Sequence, residues 1–532
     1  MRVTKESLVR SWLTGDALIP LSVAVVLCVG FLAAERFVLG EFGFPLDDAW
    51  MHLQFARSLA TGDGFSFQGD GTGAGAAAPL WTAMLAPGAW ATPVGVLWAK
   101  ALGIALHLLG VAVLLSLASL WGLGRWASLL AVTLYLLTRW TLWSALSGME
   151  ISLFVLLCLL GVRQHVLDVQ ASAERSRFPW STLWLSLATL ARPEGLLLIV
   201  LCWAERLLSL SRLGEQSSIG LRSTPNRLGL HAGLALLLLT PTALYNLGTS
   251  GSALPMGLAA TSDTSLGLPR LRDLWEMGLV LFPAQPWLTL LLGAGVVAAL
   301  RTPERSLVPA AWPILLPIVY SVLGGGLHQV HHGRYLFPLF PFFCLLGGRA
   351  LAELAAVMAE RRLFGIRLRH AVAALLLITA VGSLRDGLDH YLGNVTDVTD
   401  SDVAMARWAA ANLPRDAVLA VQDVGAFGYL APQRLVDMGG IVTPEILPYL
   451  RGELRGAHPS GLEGWATFLQ QRDVDFVVLF PASFRGGLRD IDAVLPGARM
   501  VHRATLENNI TMAGPDLVVL ATPWGRGGGN RP

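Results

Sequence analysis

The sequence predicts a polytopic helical membrane domain followed by a small α/β domain. Three observations carry that prediction. Of 532 residues, 54% are hydrophobic and only 14% charged, with a mean hydropathy of +0.56; a soluble domain averages roughly 25% charged residues. Ten apolar segments approach the ~20 residues that a spanning helix needs. After Arg385 the composition turns to short apolar runs alternating with mixed helical stretches. The net charge of +2 is too small to draw the chain to nucleic acid. Cys28, Cys158, Cys202 and Cys344 all lie in apolar segments, so they read as small buried hydrophobes and not as a disulfide framework or metal site.

The first segment, about 18–38, follows "MRVTKESLVR" and is longer than the roughly 7–15 apolar residues of a signal peptide. An uncleaved first span with a cytoplasmic N-terminus is expected. The others fall around 95–120, 126–142, 150–166, 181–209, 229–248, 277–299, 307–323, 335–350 and 370–384. "ARPEG" (Ala191–Gly195) interrupts 181–209, and its proline should break a helix. As a single pass this segment would place Arg206, Arg212, Arg222 and Arg227 outside, against the positive-inside bias. As two short passes it puts "RPEG" at an outer hairpin. Arg163, Arg175, Arg177, Arg301, Arg305 and "RRLFGIRLRH" (Arg361–His370) then fall inside. About eleven spans result, with 39–94 as the first periplasmic loop and everything after residue 385 outside.

That threading was chosen on arginines, yet it gathers the polar clusters on one face. "LDDAW", with Asp47 and Asp48, opens the first outer loop. "SGME" (Ser147–Glu150), "RPEG" with Arg192 and Glu194, "YNLGTSGSALPMG" (Tyr245–Gly257) and "HQVHHGRYLFP" (His328–Pro338) follow on the same side. Within the first loop, Trp50, Leu53, Phe55, Ala56, Leu59 and Ala60 recur at near-helical spacing, which predicts a short amphipathic helix along the membrane surface. "APLWTAMLAPGAWATP" then dips back as an interfacial or re-entrant stretch.

"PLDDAWMHLQFARSLATGDGFSF…APLWT", "SGMEISLF", "ARPEGLLL" and "HHGRYLFPLFP", in that order along about 350 residues, resemble the GT-C superfamily of membrane glycosyltransferases. Within it they are most similar to the mycobacterial terminal arabinofuranosyltransferases and their relatives, where a soluble extracytoplasmic domain follows. The resemblance implies transfer of a sugar from a polyprenyl-phosphate donor to a cell-envelope glycan or glycolipid. Relatives often carry a Glu-Gly-Tyr-Thr-Ser-type run before "PLW"; this chain has "GTGAGAAAPLW" (Gly71–Trp81), a departure that falls on acceptor or sugar contacts.

Outside the cytoplasm there is no nucleotide pool, so an outward-facing transferase takes a lipid-linked donor. Transfer needs a base for the acceptor hydroxyl and positive charge for the departing phosphate. Asp47 and Asp48 emerge where the donor headgroup sits. One can act as base while the other orients it, holds a sugar hydroxyl or binds a divalent cation. The resemblance favours Asp47 as base, leaving Asp48 for a cation; no other cofactor is expected. The structural alternative is that both cap the surface helix. Arg334, with Tyr335, His331 and His332, is assigned to the donor phosphate, because arginine presents a forked, permanently charged donor set; zinc binding by the histidines is the alternative. Arg192 is a second phosphate candidate, or else an ion-pair partner of Glu194 at membrane depth. Glu150 either binds sugar or answers a helix dipole, and Arg57 either contacts substrate or snorkels.

In the tail, "AVLAVQDVGAFGYLA", "RLVDMGG", "VDFVVLF" and "DLVVLAT" predict strands, with "SDVAMARWAAANL" and "GLEGWATFLQQR" as helices, of an extracytoplasmic α/β domain over 386–532. Asp423, Gly425 and Asp437 stand at strand ends, as turn residues or as a site. Two readings compete with the transferase. A transporter or flippase of lipid-linked sugars would favour a midplane site between pseudo-symmetric halves, and no internal repeat is visible. A non-catalytic envelope assembly protein is the other.

Overall fold

The computed structural model describes residues 15–525 apart from 70–77, 171–177, 214–223, 252, 254–269, 285, 324–329, 358–361, 364–365, 452–461 and 485–486. The "GTGAGAA" run, most of "SGSALPMG", His328 and the His331 side chain therefore lie outside the described residues.

All ten apolar segments are mainly helical where described, with breaks inside 126–142 at Leu137–Thr138 and inside 181–209 at Arg192–Glu194. Helix α1 spans Gly15–Leu39, α2 Asp48–Thr61, α3 Pro79–Leu85 and α4 Thr92–Leu120. Then come α5 (Arg125–Leu136), α6 (Arg139–Leu146), α7 (Ile151–Gln170), α8 (Trp180–Ala191), α9 (Gly195–Leu213) and α10 (Thr224–Ser250). The bundle is completed by α11 (Leu271–Ala284), α12 (Pro286–Leu300), α13 (Val308–Leu323), a 3₁₀ segment (Val330–Leu339), α14 (Phe340–Val357) and α15 (Leu368–Val398). Among the described residues six helices are long and apolar enough to cross a membrane, and α5 with α6, bent by 63°, would make a seventh. The eleven crossings counted from the sequence include segments below that length. Helix α8 has 12 residues, a rise of about 18 Å against a hydrocarbon core of about 30 Å.

The polar groups of the bundle separate to its two ends. At one end His165 meets Glu205 at 2.7 Å, and Glu205 accepts hydrogen bonds from Ser306 Oγ and the Leu307 amide, both at 2.6 Å. Arg206 meets Asp168 at 2.6 Å, Arg163 donates to Ser116 Oγ at 2.8 Å, and Arg349 donates to the Trp121 carbonyl at 3.1 Å. These are the segments that the arginine count assigned to one side. At the other end Lys100, 2% exposed, donates to Glu35 (3.1 Å), the Leu146 carbonyl (3.1 Å) and Tyr391 Oη (2.7 Å), and Glu35 accepts from the Gly43 amide at 2.9 Å. That knot ties α1, α4 and α15 together and anchors the loop leading to α2.

Helix α2 lies where its periodicity predicts, but it is not a surface helix. Every residue from Ala49 to Ala56 is buried, because the C-terminal domain closes over it. The chain reaches that domain without a linker at residue 385. Helix α15 runs through a π turn (Thr399–Val403) straight into α16 (Ala404–Asn412).

Strands β1 (Val418–Val421), β2 (Arg434–Asp437), β3 (Phe476–Leu479), β4 (Arg499–Thr505) and β5 (Asp516–Ala521) form a sheet in the order β2-β1-β3-β5-β4. The β2-β1-β3 half is parallel and the β3-β5-β4 half antiparallel. Helices α17 (Gly425–Leu430), α18 (Leu447–Arg451), α19 (Leu462–Gln471) and α20 (Leu488–Val494) accompany it. Each of the four predicted segments contains a strand, but in "AVLAVQDVGAFGYLA" only Val418–Val421 is extended and Gly425–Leu430 is helix α17. Strand β4 escaped notice because "RMVHRAT" has no fully buried residue and reads as polar. At the edge strand β2, the Gln68 side chain accepts from the Leu435 amide and donates to its carbonyl, each at 2.8 Å, as a neighbouring strand would.

Replacing Lys100 by Met should lower stability by about 3–5 kcal/mol, the cost of stranding a buried partner. Adding Glu35→Gln to that variant should recover part of the loss. Thermal denaturation of the purified protein in detergent measures both; additive losses would mean the pair is not coupled.

Candidate active site

The site is built where α2, the α6–α7 turn, the α8–α9 break and the 3₁₀ segment converge. "SGME" is a tight turn. Gly148 sits at φ +73°, and a Cβ there would lie 2.4 Å from the Phe44 ring, so only glycine fits. Ser147 Oγ accepts from the Met149 amide at 3.2 Å, and Trp81 Nε1 donates to the Gly148 carbonyl at 3.0 Å. The turn ends with Glu150 pointing inward, 6% exposed. The break between α8 and α9 follows from Pro193, which drives the residue before it out of helical geometry. Arg192 stands at φ −153°, ψ 134°, and its guanidinium turns into the bundle at 4% exposure.

Arg192 reaches Glu150 at 3.0 Å and Glu194 at 2.9 Å. His52 Nε2 lies 3.1 Å from the second Glu150 oxygen, and Tyr320 donates its hydroxyl to Glu194 at 2.5 Å. Arg334, 8% exposed, forms an ion pair with Asp48. Tyr335 joins the two halves, its ring 4.8 Å from the Arg192 guanidinium and 5.3 Å from that of Arg334. Burial alone would raise the Glu150 carboxyl, but the His52 hydrogen bond and the Arg192 charge outweigh it and hold the group at about 2. Asp48, Glu150, Arg192, Glu194, Arg334 and Tyr335 thus share one cluster.

The structure separates the acidic doublet. Asp48 turns to Arg334 and keeps 28% of its side chain exposed. Asp47 occupies the N-cap position of α2 but caps a different helix. Its oxygens accept from the Gly425 and Ala426 amides at 2.6 and 2.7 Å, at the start of α17. Burial, and then Asp423, push the Asp47 carboxyl up to about 8 against those two donors. Asp423 is itself pushed up to about 7 by burial, Asp48 and Asp437. Asp437 ties a turn by accepting from Gly439, Ile441 and Val442 amides.

Besides Asp47, two predicted site residues stand apart from the cluster. Arg57 donates to the Tyr429 and Gly428 carbonyls at 2.8 and 3.0 Å, with its guanidinium 4.5 Å from the Tyr429 ring. It belongs to the domain junction. His332 stacks on Trp140 at 5.3 Å and lies 3.1 Å from Asn394 Nδ2. Asn394, the head of an N-x-T triplet, is fully buried and also accepts from Trp143 Nε1 at 2.9 Å.

Sequence reasoning missed three residues of this region. His52 is four positions after Asp48 and so on the same helical face, a signal that was available. Tyr320 sits in an apolar helix and gave no sign. Asp402, in the π turn, is 1% exposed with neither carboxylate oxygen hydrogen-bonded, and its nearest charged neighbours are Asp423 and Asp47. Among the described residues no three His, Cys, Asp or Glu side chains converge as metal ligands.

The overall fold is that of the GT-C membrane glycosyltransferases. ArnT from Cupriavidus metallidurans, solved with undecaprenyl phosphate, superposes with a TM-score of 0.59 at 15% identity, over 96% of this chain and 98% of ArnT. The oligosaccharyltransferase AglB from Archaeoglobus fulgidus, solved with an inhibitory peptide and a dolichol-phosphate, gives 0.60 at 12% identity, over 91% of this chain and 72% of AglB. Arabinofuranosyltransferase AftD from Mycobacteria gives 0.49 at 15% identity, over 96% of this chain and 41% of its own length. At these identities the likeness is one of fold. A family described as "Domain of unknown function (DUF8728)" matches residues 393–521. No curated protein matches the chain.

Because Glu150 is held at about 2, below its ordinary 4.5, its stabilisation is complete above pH 4.5 and is lost as pH falls through about 2. Glu150→Gln should destabilise the protein by about 3 kcal/mol. The gap from wild type should narrow as pH falls below 4.5. Melting curves across pH check this, and a gap independent of pH would refute the ionised pairing.

Proposed function

We propose that this chain is a membrane glycosyltransferase. It takes a sugar from a polyprenyl-phosphate donor and delivers it to a glycan or glycolipid of the cell envelope. It would do so at the periplasmic face of a bacterial inner membrane, where its C-terminal domain also lies. The observation that carries this reading is the ion pair of Asp48 with Arg334 inside the Arg192 cluster. A base and two phosphate-binding guanidiniums thereby occupy one end of the bundle. Neighbours of the same fold, ArnT and AglB, have been solved with undecaprenyl phosphate and dolichol-phosphate, which supports a lipid-phosphate carrier here.

Asp48, rather than Asp47, is assigned the base. Both Asp47 oxygens are engaged by backbone amides, whereas Asp48 keeps an exposed edge. The reaction forms a bond from the acceptor oxygen to the anomeric carbon and breaks the bond from that carbon to the phosphate oxygen. The phosphate leaves with the bonding electrons, and the acceptor proton passes to Asp48. The donor phosphate competes with Asp48 for Arg334, so its arrival releases the carboxylate to act as base. Arg192, fixed by Glu150 and Glu194, adds positive charge through its stack on Tyr335. A divalent cation at Asp48 would serve the same end by polarising the phosphate. A transporter would need its polar site near the midplane, and the charges here lie at the ends.

The test is incorporation of radiolabelled sugar from a panel of polyprenyl-phosphate donors into envelope glycans by protein in nanodiscs. Asp48→Asn should slow transfer about 100-fold or more, the usual weight of a general base. Arg334→Lys should mainly raise the KM for the donor, since lysine lacks the fork. Full activity of Asp48→Asn would end the assignment of the base.

A further inference from the structure

A cavity of about 680 Å³ opens between α2 and the C-terminal domain, bounded in part by Gln54, Arg57, Gln68, Arg415, Asp416 and Arg434. Its size is that of a ligand site, but its walls are not the apolar walls of a typical small-molecule pocket. Beside apolar residues such as Pro432 and Leu435 they carry amides and guanidiniums, groups that match hydroxyls and anions. Its floor is built: Gln68 is fixed to the β2 backbone at both amide atoms, and Arg57 is fixed to the end of α17.

The charges are unbalanced. Three arginines face one carboxylate, Asp416. Several other exposed arginines are paired, Arg407 with Glu41, Arg503 with Asp516 and Arg125 with Asp16. Arg415 and Arg434 are exposed, and among the described residues neither has a hydrogen-bond or ion-pair partner. The cavity is also tied to the reaction centre. Arg57 and Asp48 are nine residues apart on one helix, about 14 Å at 1.5 Å per residue. A chain of sugars lying in the cavity could present its end to the base.

We propose that this cavity binds the acceptor, and that the acceptor is an anionic glycan bearing carboxylate or phosphate groups held by Arg415 and Arg434. The role as acceptor rests on the transferase reading; the binding does not. The test uses the full-length protein in nanodiscs of neutral lipid. Binding of hexagalacturonate is compared with that of its methyl ester, and binding of dextran phosphate with that of dextran. At least one charged member should bind about tenfold more tightly than its neutral counterpart, with the difference shrinking at high salt. Whichever is preferred identifies the anionic group. Arg415→Glu with Arg434→Glu should abolish the preference, and Arg415→Gln with Arg434→Gln should weaken it; both pairs are exposed and should leave the melting temperature unchanged. Asp48→Asn should bind as wild type does, so a failed transferase assignment would leave this result standing. Equal binding of charged and neutral glycans, or an unchanged preference after charge reversal, would overturn the proposal.

Discussion

Two guanidiniums at one rim of a helical bundle, Arg192 and Arg334, impose the constraint from which the site follows. Each is more than nine-tenths buried. An ion taken from water into such surroundings costs several kcal/mol unless it is paired and hydrogen-bonded. The carboxylates that meet this demand come from α2, from the α6–α7 turn and from the α8–α9 break, while Arg334 itself arrives from the 3₁₀ segment. Four stretches separated by up to 286 positions, from Asp48 to Arg334, are therefore drawn to one place. The α-helices between them are apolar and could slide past one another at small cost. The charges cannot, and so they fix the register of the bundle at this end.

A second set of contacts decides what the C-terminal domain is doing there. Helix α17 has six residues and is held at both ends by α2. Asp47 accepts from its first amides and Arg57 donates to its last carbonyls. Acceptor oxygens thus meet the free amides at one end and a guanidinium meets the free carbonyls at the other, which satisfies both ends of the helix. Between them Tyr429 packs on Trp50, with ring centres 5.7 Å apart, and donates to the Ala89 carbonyl at 2.8 Å. The domain is thus one wall of the region around α2. The continuous rod of α15 and α16 carries it there without a linker.

What could be read in advance divides along physical lines. The apolar segments, the Pro193 break and the turn at Gly148 are local consequences of composition and backbone chemistry, and all were legible. So was the company of Asp48, Glu150, Arg192, Glu194 and Arg334, because ionisable groups at membrane depth must find each other. Arg57 and His332 were misplaced for a common reason: their partners, Tyr429 and Asn394, lie 372 and 62 positions away in segments that gave no sign of contact. The burial of α2 was hidden likewise, since an amphipathic pattern does not say whether lipid or protein covers the apolar face. The number of crossings was beyond reach because hydropathy registers apolar length, and the pieces around Arg192 and Pro286 are shorter than the bilayer core.

The doublet itself now has a physical account. Successive residues on a helix project about 100° apart, so two adjacent carboxylates at the start of α2 cannot point into the same space. One faces the bundle and meets Arg334; the other faces away and meets α17. A single aspartate could serve one of these partners only. With two, the orientation of the group facing Arg334 is tied to the docking of a domain whose own chain lies nearly four hundred residues downstream. Asp423 interacts with both members of the doublet, and Asp402 feels Asp423 and Asp47. Anything that shifts the seat of α17, including a ligand in the arginine-lined cavity beside it, must therefore be felt at the first turn of α2, where the proposed proton transfer takes place.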